Sequence, residues 1–170
     1  MVDEAYFEFC GQTALPWIAR YPNLFVSRTF SKAFGLAAMR CGCLFSDARN
    51  MAMIRKAQSP YSVNSPAVAA ALGAICDRRY TEKYVAAVRR SRAMLEGEFR
   101  RRGISYVPSE ANFILARFGN RNRARAVHDG LRRRGILARD RSHEIAGAVR
   151  FTLGTPSQTR RLIRALGELL

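Results

Sequence analysis

The pattern of apolar and polar positions changes its period along the chain and predicts strands alternating with helices. Short apolar runs, as in buried strands of α/β sheets, occur at residues 24–26 and 41–45. Met1 and Val2 form only a brief apolar lead-in before polar residues, shorter than most strands have. Four further strands are predicted in the second half of the chain, at residues 104–107, 112–118, 136–139 and 148–153.

Capping residues mark where the helices of the first half begin. Asp47 is predicted to cap a helix that continues to about Lys56. Ser65 is predicted to cap an alanine-rich helix over residues 66–76, with proline at its first position. A loop is predicted between these two helices.

The longest helix is predicted to begin at a Thr81 cap and to end at Gly103, in the left-handed conformation. Its apolar residues recur with a period near 3.6, as on a helix with one buried face. Residues 123–134 form a second such helix, and Thr155 with Gln158 forms a capping box that opens the last one. Strands covered by helices indicate a small α+β unit over residues 103–170.

The composition favours a folded protein with a packed core. The chain is 48% hydrophobic and 25% charged, unlike disordered sequences. No apolar run approaches the ~20 residues of a membrane helix. The first residues, MVDEAYFEF, lack the basic start of a signal peptide. We therefore expect a soluble, cytoplasmic protein.

The net charge of +16, from 29 Lys+Arg and 13 Asp+Glu, raises the question of a polyanionic partner. The arginines are concentrated at residues 89–92, 100–102, 121–125, 132–134 and 160–164. Most lie between apolar positions of predicted helices, as on solvated faces. No zinc-finger spacing or glycine-aromatic RNA motif accompanies them. Nucleic-acid binding therefore stays an alternative, as does a balancing acidic segment outside this chain.

The four cysteines, Cys10, Cys41, Cys43 and Cys76, form no CxxC pair. The two histidines are far from them in sequence, so a zinc site is disfavoured and no metal site is predicted. Cys41 and Cys43 are predicted to share one face of a strand. Reduced, packed thiols are the expectation.

Lys32 stands apart from the other basic residues because small and apolar residues surround it in SRTFSKAFGLAAMRCG. A lysine amine becomes a nucleophile toward carbonyl groups when burial or neighbouring cations lower its pKa. Pyridoxal 5'-phosphate (PLP) supplies such a carbonyl. This cofactor also needs a carboxylate at its ring nitrogen, with hydroxyl and guanidinium groups at its phosphate.

Five segments in order support this chemistry: VDEAY, RTFSKAFGLAAMRCG, PSEANFILARF, GILARD and VRFTLGTP. Together they resemble the fold-type I PLP-dependent aminotransferases, most closely the histidinol-phosphate aminotransferase family. The resemblance implies an α/β fold: the C-terminal part of the large PLP-binding domain, with an incomplete mixed sheet, followed by a small α+β domain. The implied divisions are residues 1–80 for the partial large domain, 81–102 for a connecting helix and 103–170 for the small domain.

The resemblance also implies roles for individual residues around the cofactor. Lys32 resembles the lysine that bonds to the cofactor and then moves a proton at the substrate. Asp3 resembles the partner of the pyridine nitrogen, and Tyr6 the donor to the phenolic oxygen. Thr29, Ser31 and Arg40 resemble part of the phosphate site.

Two arginines resemble substrate contacts. Arg150, in VRFTLGTP, resembles the clamp on a substrate carboxylate or similar anion, and Arg139, in GILARD, a second anion contact. The implied reaction is transamination between histidinol phosphate and 2-oxoglutarate, with glutamate as the amino donor in the biosynthetic direction, by a homodimer. Family members acting on aromatic amino acids or O-phosphothreonine remain alternatives.

The family's chains extend further on the N-terminal side of Asp3, where more of the cofactor site lies. The resemblance therefore covers their C-terminal part. We expect a chain truncated in this way to bind PLP poorly and to transaminate little by itself. A non-catalytic remnant that folds only with another chain is a further alternative.

Overall fold

A computed structural model describes residues 1–170 as two compact units, Met1–Val85 and Ala86–Leu170. The strands and helices of the first unit are β1 (Val2–Asp3), α1 (Phe7–Cys10), β2 (Val26–Thr29), β3 (Gly42–Phe45), α2 (Ala48–Ala57) and α3 (Ser65–Cys76). The longest helix, α4 (Arg78–Arg101), contains the boundary. The elements after it are β4 (Ser105–Val107), β5 (Phe113–Arg117), α5 (Arg121–Arg133), β6 (Arg139–Asp140), β7 (Ala148–Thr152) and α6 (Pro156–Leu169).

The sheet of the first unit has the order β1-β2-β3 and mixes parallel with antiparallel pairing. β1 is parallel to β2, whereas β3 is antiparallel to it. Val26 of β2 and Phe9 of α1 are fully buried. The Phe9 ring packs edge-on against Tyr84 with centroids 6.2 Å apart. This mixed sheet agrees with the sequence-based expectation for the large-domain part.

The sheet of the second unit is antiparallel throughout, with the order β4-β5-β7-β6. One face is buried: Ile114 and Ala116 of β5 lie opposite Phe151 and Val149 of β7, and all four are at most 2% exposed. The Phe151 ring lies 5.8 Å from that of Phe99 on α4. The other face presents more polar side chains, because residues alternate between faces along a strand.

Two adjacent polar residues of α4 hold the ends of the central strands. Ser91 donates from its hydroxyl to the Gly154 carbonyl, 2.9 Å away, just after β7. Arg92 is buried and donates to the Ala111 carbonyl at 2.8 Å, just before β5. Ala111 lies just before the start of β5, and Gly154 lies just after the end of β7. Since these two strands are antiparallel, both bonds hold the same end of the sheet.

Several predicted helix boundaries are confirmed. The Asp47 carboxylate accepts a hydrogen bond from the Arg49 amide at 3.0 Å and caps α2. Thr155 and Gln158 form the capping box of α6. Gly103 follows α4 with φ of 66°. Each of these boundaries is set by a capping side chain or a glycine within a few residues of the helix end, so the local sequence was sufficient to predict it.

Two predicted caps are wrong by a few residues. Asn64, rather than Ser65, caps α3, and its side chain accepts from the Ala67 amide at 2.8 Å. Helix α4 begins at Arg78, ahead of Thr81, because the Asp77 carboxylate accepts from the Tyr80 amide. In both cases another good capping residue lies upstream, one residue before Ser65 and four residues before Thr81.

Two predicted strands are displaced along the chain. Residues 136–138 are not in β6, because the Ile136 amide bonds back to the Leu131 carbonyl at 3.0 Å and completes the end of α5. The strand predicted at residues 24–26 begins only at Val26, because the Leu24 amide bonds to Tyr21 in a turn. Helix and turn hydrogen bonds have displaced both strands.

No helix combines the length and apolar character needed to cross a membrane. The four cysteines are unpaired, and Cys76 is exposed, contrary to the expectation that all four are packed. The division at residues 81–102 stays a prediction, since the two compact units meet inside α4.

Candidate active site

The predicted cofactor residues of the first unit gather at one edge of its sheet. Asp3 and Thr29 are the last residues of the parallel strands β1 and β2, whose carboxyl ends meet at the same edge. Thr29 lies opposite Gly42, the first residue of the antiparallel β3. The loop of residues 30–41, which contains Lys32 and Arg40, therefore begins and ends at this edge.

Backbone hydrogen bonds fix the loop that carries Lys32. The Phe30 amide donates to the Cys41 carbonyl at 3.2 Å, and the Leu36 amide donates to the Phe30 carbonyl at 3.0 Å. Phe30 and Ala33, on either side of the lysine, are 7% and 1% exposed. These buried neighbours anchor the loop while the Lys32 side chain stays half-buried.

The Lys32 ammonium lies over the ring of Tyr6, with Nζ 5.5 Å from the centroid. Tyr6 immediately precedes α1, so the turn from β1 into this short helix places the ring. None of the chain's ion pairs includes Lys32. The amine is thus held beside an aromatic ring and forms no ion pair with a carboxylate.

Asp3 is held by its neighbours and remains open to solvent. Its Oδ1 accepts from the Ala5 amide at 3.0 Å and from the Ser27 hydroxyl at 3.2 Å. The first bond comes from the turn into α1 and the second from the facing position of β2. The side chain is therefore oriented from both sides.

The hydroxyl and guanidinium groups expected at a phosphate lie at the two ends of the loop. Thr29 Oγ1 accepts from the Ser31 amide at 3.1 Å, which ties the two hydroxyl residues into one turn. Arg40 is exposed and donates from Nη1 to the Ala37 carbonyl at 3.0 Å. Its φ of 54° makes it the chain's one non-glycine residue with positive φ. Such backbone strain is concentrated at functional sites.

A buried ion pair behind this edge was missed by the sequence-based reasoning. Glu4 is 7% exposed and pairs with Arg28 of β2 at 2.9 Å. Burial acts to raise the Glu4 pKa, but hydrogen bonds from the Ala14 amide, Arg28 and Thr13 outweigh it, so the pKa lies below its ordinary value. The sequence contained little signal for this pair, because Arg28 follows the strand predicted at residues 24–26 and belongs to β2 only in the structure.

The two predicted anion contacts, both in the second unit, are cross-strand neighbours. Arg139 of β6 and Arg150 of β7 lie directly opposite each other, so both side chains leave the same face of the sheet. The Arg150 guanidinium lies 5.2 Å from the Phe113 ring centroid, and its buried Nε has no hydrogen-bond partner. Directly opposed like charges destabilise a strand pair unless an anion lies between them.

Comparisons with known proteins identify the family of the chain. The family model described as Aminotransferase class I and II matches residues 1–166. A histidinol-phosphate aminotransferase of Symbiobacterium thermophilum is 42% identical over 176 aligned residues, which cover all of this chain and 47% of the relative. A second relative with that name, from Pseudomonas fluorescens, is 37% identical with the same coverage. The chain spans about half the length of these curated relatives.

Solved structures give the same result. The histidinol-phosphate aminotransferase of Sinorhizobium meliloti, in complex with pyridoxal-5'-phosphate, has a TM-score of 0.85 and 30% identity. The match covers 98% of this chain and 47% of that one. L-threonine-O-3-phosphate decarboxylase of Porphyromonas gingivalis has a TM-score of 0.78, with 25% identity over 98% of this chain and 53% of its own. The chain therefore belongs to the class I and II aminotransferases.

Proposed function

We propose that this chain carries the lysine-bearing part of a PLP-dependent aminotransferase that acts on histidinol phosphate, with glutamate and 2-oxoglutarate as the other pair. The observation that supports the proposal most directly is the gathering of an amine, a carboxylate, two hydroxyls and a guanidinium at one sheet edge. Similarity to histidinol-phosphate aminotransferases along the whole chain supports the choice of substrate.

The residues present fit this cofactor. Lys32 offers a half-buried amine that forms no ion pair with a carboxylate, and Arg40, near the end of the same loop, has a positive φ. When bound, PLP supplies an aldehyde that reacts with amines and a ring that withdraws electrons from the neighbouring carbon. Thr29, Ser31 and Arg40 would hold its phosphate, since hydroxyls and a guanidinium donate hydrogen bonds to phosphate oxygens.

Lys32 would hold the cofactor through its amine and, when that amine is free, would carry a proton to and from the substrate Cα. The Asp3 carboxylate, held by Ser27 and the Ala5 amide, would keep a proton on the ring nitrogen by charge attraction. Tyr6, beside the Lys32 amine, would donate its phenol to the cofactor's own phenolic oxygen.

Arg139 and Arg150 would bind the anionic groups of the substrates. Their opposed positions present two guanidinium groups on one sheet face, which suits a phosphate or a pair of carboxylates. Phe113 beside Arg150 adds an apolar surface against which its guanidinium rests. The unpartnered Arg150 Nε leaves a donor for such an anion.

A second candidate function is decarboxylation of O-phosphothreonine, which the likeness to the Porphyromonas gingivalis decarboxylase favours. The opposed arginines suit that doubly anionic substrate as well. Aromatic amino acids, which have a single carboxylate, use this arginine pair less fully. Assaying the complete enzyme with histidinol phosphate, O-phosphothreonine and phenylalanine distinguishes the three.

A cytoplasmic homodimer is the assembly we propose for the complete enzyme. The support in this chain is an apolar stripe on α3, where Val68, Leu72 and Ile75 are 45%, 60% and 51% exposed. A stripe at this helical spacing is typical of a helix that packs against another surface. Sedimentation of the complete enzyme, with and without Leu72→Glu, measures whether this face is an interface.

The site itself is tested by trapping the cofactor on this chain. The protein is incubated with PLP, reduced with sodium borohydride and digested, and the mass of every lysine peptide is measured. We expect the pyridoxyl adduct on Lys32, its loss in Lys32→Ala, and its persistence in Lys56→Ala, a control on the exposed face of α2. Equal labelling of Lys32, Lys56 and Lys83 would contradict the proposal, because it would indicate reaction with any accessible amine.

A further inference from the structure

A cleft of about 340 Å³ lies in the second unit, apart from the residues assigned above. It is bordered by the turn after α4, the end of β5 and the first turn of α5. Three arginines line it, one from each of these places: Arg102, Arg117 and Arg123. The rest of the lining is Gly103, Ile104, Phe118, Gly119 and Leu170, and in the 170-residue chain Leu170 also carries the terminal carboxylate.

The positive charge at this cleft is only partly balanced. Arg102 pairs through Nε with Glu98. Arg117 and Arg123 are exposed and take part in none of the chain's ion pairs or hydrogen bonds through their side chains. No aspartate or glutamate lines the cleft. Guanidinium groups brought together in this way repel each other, and a bound anion would remove that repulsion.

The backbone around the cleft adds to the attraction for an anion. Helix α5 begins here, and its Asn120 cap accepts from the Arg123 amide at 2.9 Å. The first turn of α5 contains no acidic residue that would neutralise the positive end of the helix dipole. At Gly167 on α6, a Cβ would lie 2.8 Å from Arg102 Nη2, so the glycine leaves room for this guanidinium.

We propose that this cleft binds a phosphoryl group of a small molecule, such as inorganic phosphate or pyrophosphate. Several guanidinium groups from separate elements suit an anion with three or four oxygens, whereas a carboxylate offers only two. The volume accommodates a phosphate or diphosphate. Because the arginines are held by different elements of one unit, the charge is gathered at one place rather than spread along a helix.

Calorimetric titration of the 170-residue chain with phosphate and with pyrophosphate tests the site. We expect saturable binding, tighter for pyrophosphate. Replacing both unpaired arginines, as Arg117→Gln with Arg123→Gln, is expected to weaken it about tenfold or more. The matched control is Arg160→Gln with Arg164→Gln on α6, which removes the same charge from exposed positions outside the cleft and is expected to change affinity less than about twofold.

Thermal unfolding of both double variants accompanies the titrations, and unchanged midpoints show that the affinities refer to folded protein. Absence of saturable binding, or equal weakening by both double variants, would overturn the proposal in favour of diffuse charge. Competition with a DNA duplex tests whether the cleft binds the phosphates of a nucleic acid instead of those of a small molecule. Tight duplex binding that pyrophosphate fails to displace would also overturn the proposal, since the arginines would then bind a nucleic-acid backbone. Arg150→Gln removes an anion contact of the proposed enzymatic function and none of the cleft's lining, so it is expected to leave the pyrophosphate affinity of the cleft unchanged, and the two proposals can fail separately.

Discussion

Glu98 is the residue whose ionisation depends most on its surroundings. Hydrogen bonds from Arg101 and then Arg102 lower its pKa from 4.5 to about 2, against the opposing effect of burial. Its carboxylate is 9% exposed, and the Arg101 contact is 2.7 Å. The ion pairs of Glu98 with Arg101 and Arg102 connect residues at the C-terminal end of α4. The negative charge of Glu98 therefore stabilises this end of the helix.

This pKa predicts how stability depends on pH. Because the folded pKa lies below the unfolded one, the stabilisation is fully present above pH 4.5 and is lost as the pH falls toward 2. We expect Glu98→Gln to cost about 1–2 kcal/mol at neutral pH and little near pH 2. Urea unfolding across this range measures the difference.

Glu82 on the exposed face of α4 provides the control, since Glu82→Gln removes a carboxylate that no ion pair engages. The two variants are compared with the parent protein at each pH. A Glu98→Gln difference that stays constant from neutral pH to pH 2 would contradict the assignment.

Among single residues, the sequence singled out Lys32, whose role stays a proposal, but it did not indicate the pair of Glu4 with Arg28. Lys32 stands in a motif whose residue types all suit one chemistry, so its surroundings in sequence identify it. The Glu4–Arg28 pair joins residues from different strands, and its existence depends on the register of β1 with β2. Apolar periodicity and caps do not determine that register.

At the scale of whole elements, two glycines of the first unit occupy opposite environments. A Cβ at Gly42 in β3 would lie 2.7 Å from the Arg28 carbonyl oxygen on β2. That atom is backbone in a hydrogen-bonded strand pair and cannot move aside cheaply. A Cβ at Gly73 inside α3 would meet nothing within 4 Å.

Gly42→Ala is therefore expected to destabilise the first unit by about 1–3 kcal/mol through forced separation of the strands. Gly73→Ala, the matched control, is expected to stabilise it by about 0.5–1 kcal/mol because alanine favours a helix. Chemical denaturation of both variants, followed by circular dichroism, gives the sign of each effect. Equal effects of the same sign would refute the argument from the Arg28 carbonyl.

Elements with local signals were predicted well, and those whose ends depend on distant partners were predicted less well. Asp47 and Thr155 cap their helices as expected, because a side chain and an amide a few residues away are sufficient. The strand expected at residues 136–139 depended on competition between the end of α5 and the edge of a sheet. The Ile136 amide bonds to the nearby Leu131 carbonyl at the end of α5, so residues 136–138 do not join the sheet.

At the scale of the whole molecule, the net charge of +16 dominates the electrostatics. Repulsion among the excess positive charges opposes the folded state. At an ionic strength of about 0.1–0.15 M, salt screens this repulsion between charges more than about 8–10 Å apart. We expect the midpoint of thermal unfolding to rise when sodium chloride is increased from about 0.01 to 0.15 M. Scanning calorimetry measures the rise.

The variant Arg160→Gln with Arg164→Gln should show a smaller rise, because it begins with two fewer positive charges. A midpoint that falls with added salt would mean that the chain's ion pairs outweigh the repulsion. Sodium sulfate at matched ionic strength distinguishes screening from specific anion binding, since the latter depends on which anion is added.

Strand β6 has only two residues, and one of them, Arg139, faces Arg150 across its hydrogen-bonded edge. An edge strand this short opens easily, and the opposed guanidinium groups favour opening. If Arg139 and Arg150 bind an anion as proposed, that anion would remove their repulsion and stabilise the pairing of β6 with β7. In hydrogen–deuterium exchange, a bound anionic substrate is expected to slow the amides of residues 139–141, and Arg150→Gln is expected to abolish that protection. On this proposal, substrate binding and the ordering of β6 would be a single event, and the time for which β6 stays paired would match the time for which the substrate stays bound.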